Sequence, residues 1–121
     1  MKGIYLEKKN VFVEDESFQM TFLLKDDKND PLTSNNLSSY KFYAYLDNYG
    51  NQIIKKDANY TDGAATQVTT SGNTVIVYIT EDETDGWNGK VDVEVVAVNK
   101  TDGNKYVFYR DKLTVIDSIQ D

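Results

Sequence analysis

Three carboxylate clusters are the first candidates for chemistry in this 121-residue chain: Glu14, Asp15 and Glu16; Asp26, Asp27 and Asp30; and Glu81, Asp82, Glu83 and Asp85. Two carboxyls facing each other across a groove, about 5 to 10 Å apart, could hydrolyse a glycosidic bond. All three clusters fall in segments that read as loops, where solvated and turn-forming acids are the ordinary occupants. No phosphate-binding glycine motif, nucleophile elbow or zinc-protease helix accompanies them. The sequence has neither Cys nor His. That removes disulfides, structural zinc, thiol nucleophiles, the Ser-His-Asp relay and imidazole acid-base chemistry. The residues therefore read as a non-enzyme with no cofactor and no metal.

Calcium needs a separate weighing because it requires only oxygen ligands. Asp26-Asp27-Lys28-Asn29-Asp30 and Glu81-Asp82-Glu83-Thr84-Asp85 are dense in oxygens. Neither has the alternating Asp positions, central Gly and distal Glu of an EF-hand loop. Lys28 also sits inside the first cluster. A site shared between loops stays open beside the simpler reading, in which acidic loops keep the surface soluble and discourage edge-to-edge association.

Trp87, in Asp85-Gly86-Trp87-Asn88-Gly89, is the candidate carbohydrate contact, since an exposed indole can stack on a sugar ring; with neighbouring tyrosines it gives the alternative function, a carbohydrate-binding sandwich module. The alternative is a lid over one end of the fold, as large aromatics are mostly buried. Asn36, Asn59 and Asn99 each begin a glycosylation acceptor triplet. With no signal peptide in the sequence, they read as a by-product of abundant Asn and Thr.

Charge narrows the partners. Twenty acidic residues stand against 13 basic ones, a net charge of −7 with no basic block. Nucleic acid is excluded as a partner, because binding it depends on cationic neutralisation of phosphates. Anionic membrane surfaces are disfavoured for the same reason. No apolar run approaches the roughly 18 residues that span a bilayer, and the charged start, with Lys2, Glu7, Lys8 and Lys9, does not read as a signal peptide. Synthesis in a cytoplasm is the expectation, with any later exit by a route other than a cleaved signal. Residues 1–121 suit a single domain.

The elements that must position these residues are strands. Phe18, Met20, Phe22 and Leu24 alternate with Gln19, Thr21 and Leu23; Tyr40, Phe42, Ala44 and Leu46 alternate with Lys41, Tyr43 and Tyr45. Val75, Val77 and Ile79 form a third run, and Val91, Val93, Val95 and Ala97 a fourth, the longest and so the central one. Tyr106 to Tyr109 and Leu113 to Ile116 read as one bent strand. Its halves differ in parity, which requires a bulge near Arg110 if Tyr106, Phe108, Leu113 and Val115 are all buried. Ile4 to Leu6, Val11 to Val13, Gln52 to Lys55 and Gln67 to Thr70 are shorter candidates. Asn48 to Asn51, Ser71 to Asn73 and Thr101 to Asn104 carry the Gly and Asn of tight turns. Thr80 and Glu83 form a capping box, but Asp85-Gly86 stops that helix after one turn. The segment from Lys25 to Ser39 is the one long irregular stretch. The prediction is all-β, an antiparallel immunoglobulin-like sandwich of about seven to nine strands.

If Phe42, Val77, Val93 and Phe108 face the core, then Tyr43, Tyr45, Tyr78, Val96, Val98, Val107 and Tyr109 face away from it. Outward tyrosine-rich faces mark protein interfaces. The alternative is that a loop or the amino-terminal segment covers them.

The order of features resembles the immunoglobulin-like module of tailed-phage virion proteins, most closely the amino-terminal domain of baseplate upper proteins. An acidic turn at Glu14-Asp15-Glu16 leads into Phe18 to Leu24, then Asp26 to Asp30 with Pro31-Leu32, then Tyr40 to Leu46. Thr80-Glu81, Trp87 with Gly89 before a long strand, Asp102-Gly103 in a hairpin and a closing Leu113-Thr114-Val115 follow. Asn29-Asp30 stands where the pattern has a turn glycine. Nothing follows Asp121, where a baseplate upper protein continues, so the resemblance extends to capsid auxiliary or decoration proteins. It implies a non-enzymatic virion component, made in the bacterial host cytoplasm. Such a component docks on other virion structural proteins in many copies on a symmetric assembly, through a strand edge or the tyrosine-bearing face.

Overall fold

The computed structural model describes residues 1–14, 16–49, 53–57, 61–62, 65–66 and 68–117. In chain order the elements are β1 (Lys2–Tyr5), β2 (Val11–Val13), β3 (Phe18–Lys25), a one-turn helix α1 (Ser34–Leu37), β4 (Tyr40–Asn48), β5 (Ile53–Asp57), β6 (Thr61–Asp62), β7 (Ala65–Thr66), β8 (Val68–Ser71), β9 (Thr74–Ile79), a 3₁₀ turn (Glu81–Thr84), β10 (Gly89–Asn99) and β11 (Lys105–Ile116). Asp15, Gly50, Asn51, Gln52, Gln67, Asp121 and the Asn59-Tyr60 half of one acceptor triplet lie outside the described residues.

Two sheets hold the longer strands, ordered β1-β3-β9-β8 and β2-β11-β10-β4-β5. Lettering β1 and β2 as A and A′, and β3, β4, β5, β8, β9, β10 and β11 as B, C, C′, D, E, F and G, turns these orders into A-B-E-D and A′-G-F-C-C′. That is the immunoglobulin-like sandwich with a strand added beyond C. β6 and β7 form a separate small ladder. The long strand β10 is central in its sheet, where a run of β-branched residues has neighbours on both sides.

Alternation decides which side chains meet between the sheets. Met20, Phe22 and Leu24 of β3 and Val75, Val77 and Ile79 of β9 face Phe42, Ala44 and Leu46 of β4 and Val91, Val93, Val95 and Ala97 of β10 in one apolar cluster. Phe108, Leu113 and Val115 of β11 and Phe12 of β2 complete it.

One ladder departs from the antiparallel expectation. The chain crosses from the edge of one sheet in β1 to the edge of the other in β2, where Val11, Phe12 and Val13 pair parallel with Thr114, Val115 and Ile116. The crossing is fixed by the Leu6 N–H donating to the Thr21 carbonyl at 2.9 Å and by the Thr21 N–H donating to the Glu7 carboxylate at 2.9 Å.

The bulge required by parity is present. Val95 pairs with Tyr109 but Val96 pairs with Val107, so the register of β10 and β11 slips by one residue at Phe108. It lies just upstream of Arg110, and Phe108, Leu113 and Val115 are buried as a result, whereas Tyr106, also expected inside, is exposed at 37%.

The turns follow their chemistry. Gly72 and Gly103 take φ of +61° and +74°, the left-handed region that only glycine enters without steric cost. Between β3 and β4 the chain is more ordered than expected. One Asp26 carboxylate oxygen accepts the N–H groups of Lys28 and Asp30 at 2.9 and 3.0 Å. Asn29 takes φ of +69°, where Asn is the best-tolerated substitute for glycine. Thr33 and Asn36 then close a reciprocal capping box on α1 at 3.2 Å each way, and Leu37 is buried beneath it. This helix was hidden because its box closes with Asn in place of Glu or Gln and its apolar pattern is a single residue.

Candidate interface

The outer face of the five-stranded sheet is built by three strands whose registers are fixed by cross-strand pairing. Asp92 of β10 stands between Asp47 of β4 and Lys112 of β11; Glu94 stands between Tyr45 and Arg110; Val96 stands between Tyr43 and Val107; Val98 stands between Lys41 and Lys105. Paired residues point to the same side, so these four rows form one surface. Beyond them Val11 and Thr114 pair on the same face, and Val11, Val107 and Ile116 are each about half exposed, at 49%, 49% and 46%.

The charges on this face are arranged in columns. β11 contributes Lys105, Arg110 and Lys112, and Asp92 and Glu94 of β10 lie beside them; Asp47 of β4 stands on the other side of Asp92, and Lys90 and Lys41 occupy the ends of the β10 and β4 columns. Glu94 is approached by the Lys105 ammonium at 3.9 Å and the Arg110 guanidinium at 3.8 Å. The Arg110 side chain is 76% exposed, so its pairing is worth little in water. The Tyr49 hydroxyl donates to the Asp92 carboxylate at 2.5 Å, and that bond holds the phenol above its ordinary pKa. Tyr45, Asp47, Asp92, Glu94, Lys105 and Arg110 line a shallow depression of about 390 Å³.

The sequence-derived interface set does not form one patch. Tyr43, Tyr45 and Val98 lie half-buried on this outer face as expected. Val96 points outward too, but it is 1% exposed and cannot present a contact surface. Tyr78 belongs to β9 and pairs with Gln19, which puts it on the outer face of the other sheet, on the far side of the sandwich. Tyr109 is turned inward by the bulge. Its ring lies 4.8 Å from that of Phe22 and 5.7 Å from that of Tyr5, and burial, with Asp111 beside it, pushes its hydroxyl up to about 12.

Trp87 is a lid, not a platform. It is 1% exposed, and the 3₁₀ turn before it holds it in place. The Thr80 N–H donates to the Glu83 carboxylate at 2.8 Å, completing the expected cap, and the Trp87 N–H donates to the Thr84 carbonyl at 2.9 Å. Its ring cannot stack on a sugar from this position. The indole N–H finds no hydrogen-bond partner among the described residues, a cost of about 1–3 kcal/mol for a buried donor. Beside it, the buried Asn48 amide donates to the carbonyls of Asn88 and Lys90 at 2.7 and 2.9 Å, tying the end of β4 to the start of β10.

Each acidic cluster has at least one member engaged in a structural hydrogen bond. Glu14 is buried at 7% exposure and accepts the Gly86 N–H at 3.2 Å. Asp26 organises its own turn and Glu83 caps the 3₁₀ turn. Among the described residues no group of three or more acidic side chains converges as a metal site.

Sequence reasoning passed over Arg110, Lys112, Asp92 and Glu94 as site residues. The signal was only half available: β10 alternates Asp92 and Glu94 with valines, but Arg110, Asp111 and Lys112 run together in β11, and the register alone shows which of them stand beside the β10 acids.

No family model matches the chain, and no curated protein matches it.

Proposed function

We propose that this chain is a non-enzymatic structural protein of a tailed-phage virion, an immunoglobulin-like module that docks on capsid or tail proteins through a strand edge or the outer face of its five-stranded sheet. The observation that carries the docking role is that face. A wet sheet face is ordinarily polar, whereas this one combines half-buried Tyr43 and Tyr45 with half-exposed Val107, Val11 and Ile116, the mixture that marks interaction surfaces. The virion setting is supported by the resemblance of the strand and turn order to phage modules. Weak single contacts of this kind sum through multivalency when many copies sit on a symmetric particle. The carbohydrate-binding alternative loses its stacking residue with the burial of Trp87.

The test is location. Virions purified from a producing host are expected to contain the chain in stoichiometric, symmetry-related copy number by mass spectrometry, with gold-labelled antibody decorating head or tail. Particles that lack it overturn the reading.

A further inference from the structure

We propose that the outer face of the five-stranded sheet pairs with the same face of a second copy of this chain, around a two-fold axis running along the strands between β10 and β11. This extends the docking reading by naming an occupant for the face, and it does not depend on the virion setting. Two copies carrying −7 each repel as whole bodies, so association needs a surface where unlike charges meet. The columns on this face supply it. A rotation about an axis along the strands exchanges left and right, and so lays β11 of one copy over β10 of the other. Lys112 then lies over Asp92 and Arg110 over Glu94, twice by symmetry, because those residues already share rows within each sheet. The other in-plane two-fold, running across the strands, lays the basic column of β11 on itself and is opposed by like charge. The sign pattern thus selects one dimer geometry of the isologous kind.

The contacts within each copy leave these groups free to exchange partners. Arg110 and Lys105 are mostly solvent-exposed and reach Glu94 only at 3.8 and 3.9 Å, and Lys112 has no ion pair among the described residues. Val107, 49% exposed, is the apolar group near the centre of the rows and is covered in the pair. With so modest an apolar area, the dimer depends on charge and weakens with salt.

Sedimentation velocity of the full chain over a concentration series tests this. At low ionic strength the mass is expected to rise from monomer to dimer with concentration, and the association to weaken by about tenfold or more when salt is raised. Arg110→Glu with Lys112→Glu, and separately Asp92→Lys with Glu94→Lys, should each lose self-association, whereas an equimolar mixture of the two forms one-to-one dimers. Because the chain has no Cys, single cysteines report the axis: Lys112→Cys mixed with Asp92→Cys should cross-link across the pair more than either variant alone. A wild-type chain that stays monomeric at every concentration overturns the proposal, as does a charge-reversed variant that dimerises unchanged or a Lys112→Cys variant that links best to itself. A monomeric chain found on virions would leave the docking role standing while removing the dimer.

Discussion

The carboxylate of Glu14 accepts the backbone N–H of Gly86 at 3.2 Å, joining segments 72 residues apart in the chain. The bond fastens the start of the sandwich, just after β2, to the turn that carries Trp87, and it is made by a side chain almost removed from water. A charge-assisted hydrogen bond of this kind is worth about 1.5–3 kcal/mol. Glu14→Ala is expected to lower stability by that order in urea unfolding, and Glu14→Gln, which keeps an acceptor, by clearly less. Equal losses for the two variants would show that the acceptor is not what matters.

Gly3 allows β1 to approach β11. A Cβ there would sit 2.4 Å from Cδ2 of Phe108 and 3.1 Å from its carbonyl oxygen. Phe108 has no room to withdraw, since its ring packs edge-on against Phe22 and Phe42. Gly3→Ala should therefore cost about 1–3 kcal/mol as an overpacking substitution. Combining it with Phe108→Leu should recover part of that loss, and a double-mutant cycle gives the coupling. Strict additivity would contradict the contact.

Tyr5 and Tyr109 share one apolar site, with rings 5.7 Å apart. Burial, reinforced by Glu7 for Tyr5 and by Asp111 for Tyr109, pushes each hydroxyl up to about 12. The folded state therefore holds these protons more tightly than the unfolded chain, whose tyrosines ionise near 10. The stabilisation is complete below about pH 10 and is lost as pH rises from about 10 to 12. Phenolate absorbance should show these tyrosines ionising last, together with alkaline unfolding. Tyr5→Phe with Tyr109→Phe should remove much of that pH dependence.

Trp87 is expected to emit as a buried indole, blue-shifted and shielded from a soluble quencher, and to be indifferent to glycans. Trp87→Ala should cost about 3–5 kcal/mol as a large cavity. Trp87→Phe should cost much less, because it keeps most of the apolar burial and removes an N–H that has no partner. Glycan-dependent quenching would overturn the lid assignment.

Much of the fold was legible along the chain because period-2 alternation and turn chemistry are local. β3, β4, β9 and β10 stand where Phe18 to Leu24, Tyr40 to Leu46, Val75 to Ile79 and Val91 to Ala97 alternate. The turns at Gly72 and Gly103, the capping box of Thr80 with Glu83 and the parity break before Leu113 were equally local signals. Among the weaker strands Val11–Val13 stands at its expected bounds, while others are displaced by a residue or two, as at Lys2–Tyr5 and Val68–Ser71.

The candidate site was less legible because belonging to a surface is not a local property. Tyr78 alternates just as Tyr43 does, yet it pairs with Gln19 in the opposite sheet. Tyr109 follows the outward parity of Val107 in sequence, but the one-residue slip opposite Val95 and Val96 turns it toward Phe22. The sequence by itself determined strands, turns, net charge and the absence of thiol and imidazole chemistry, since each depends on residues within a few positions or on composition alone. Only the tertiary structure decided that Trp87 is a buried lid, that β2 joins β11 in parallel and that Lys112 and Arg110 stand beside Asp92 and Glu94. Those outcomes depend on long-range pairing and register, which bring together residues that the chain keeps tens of positions apart.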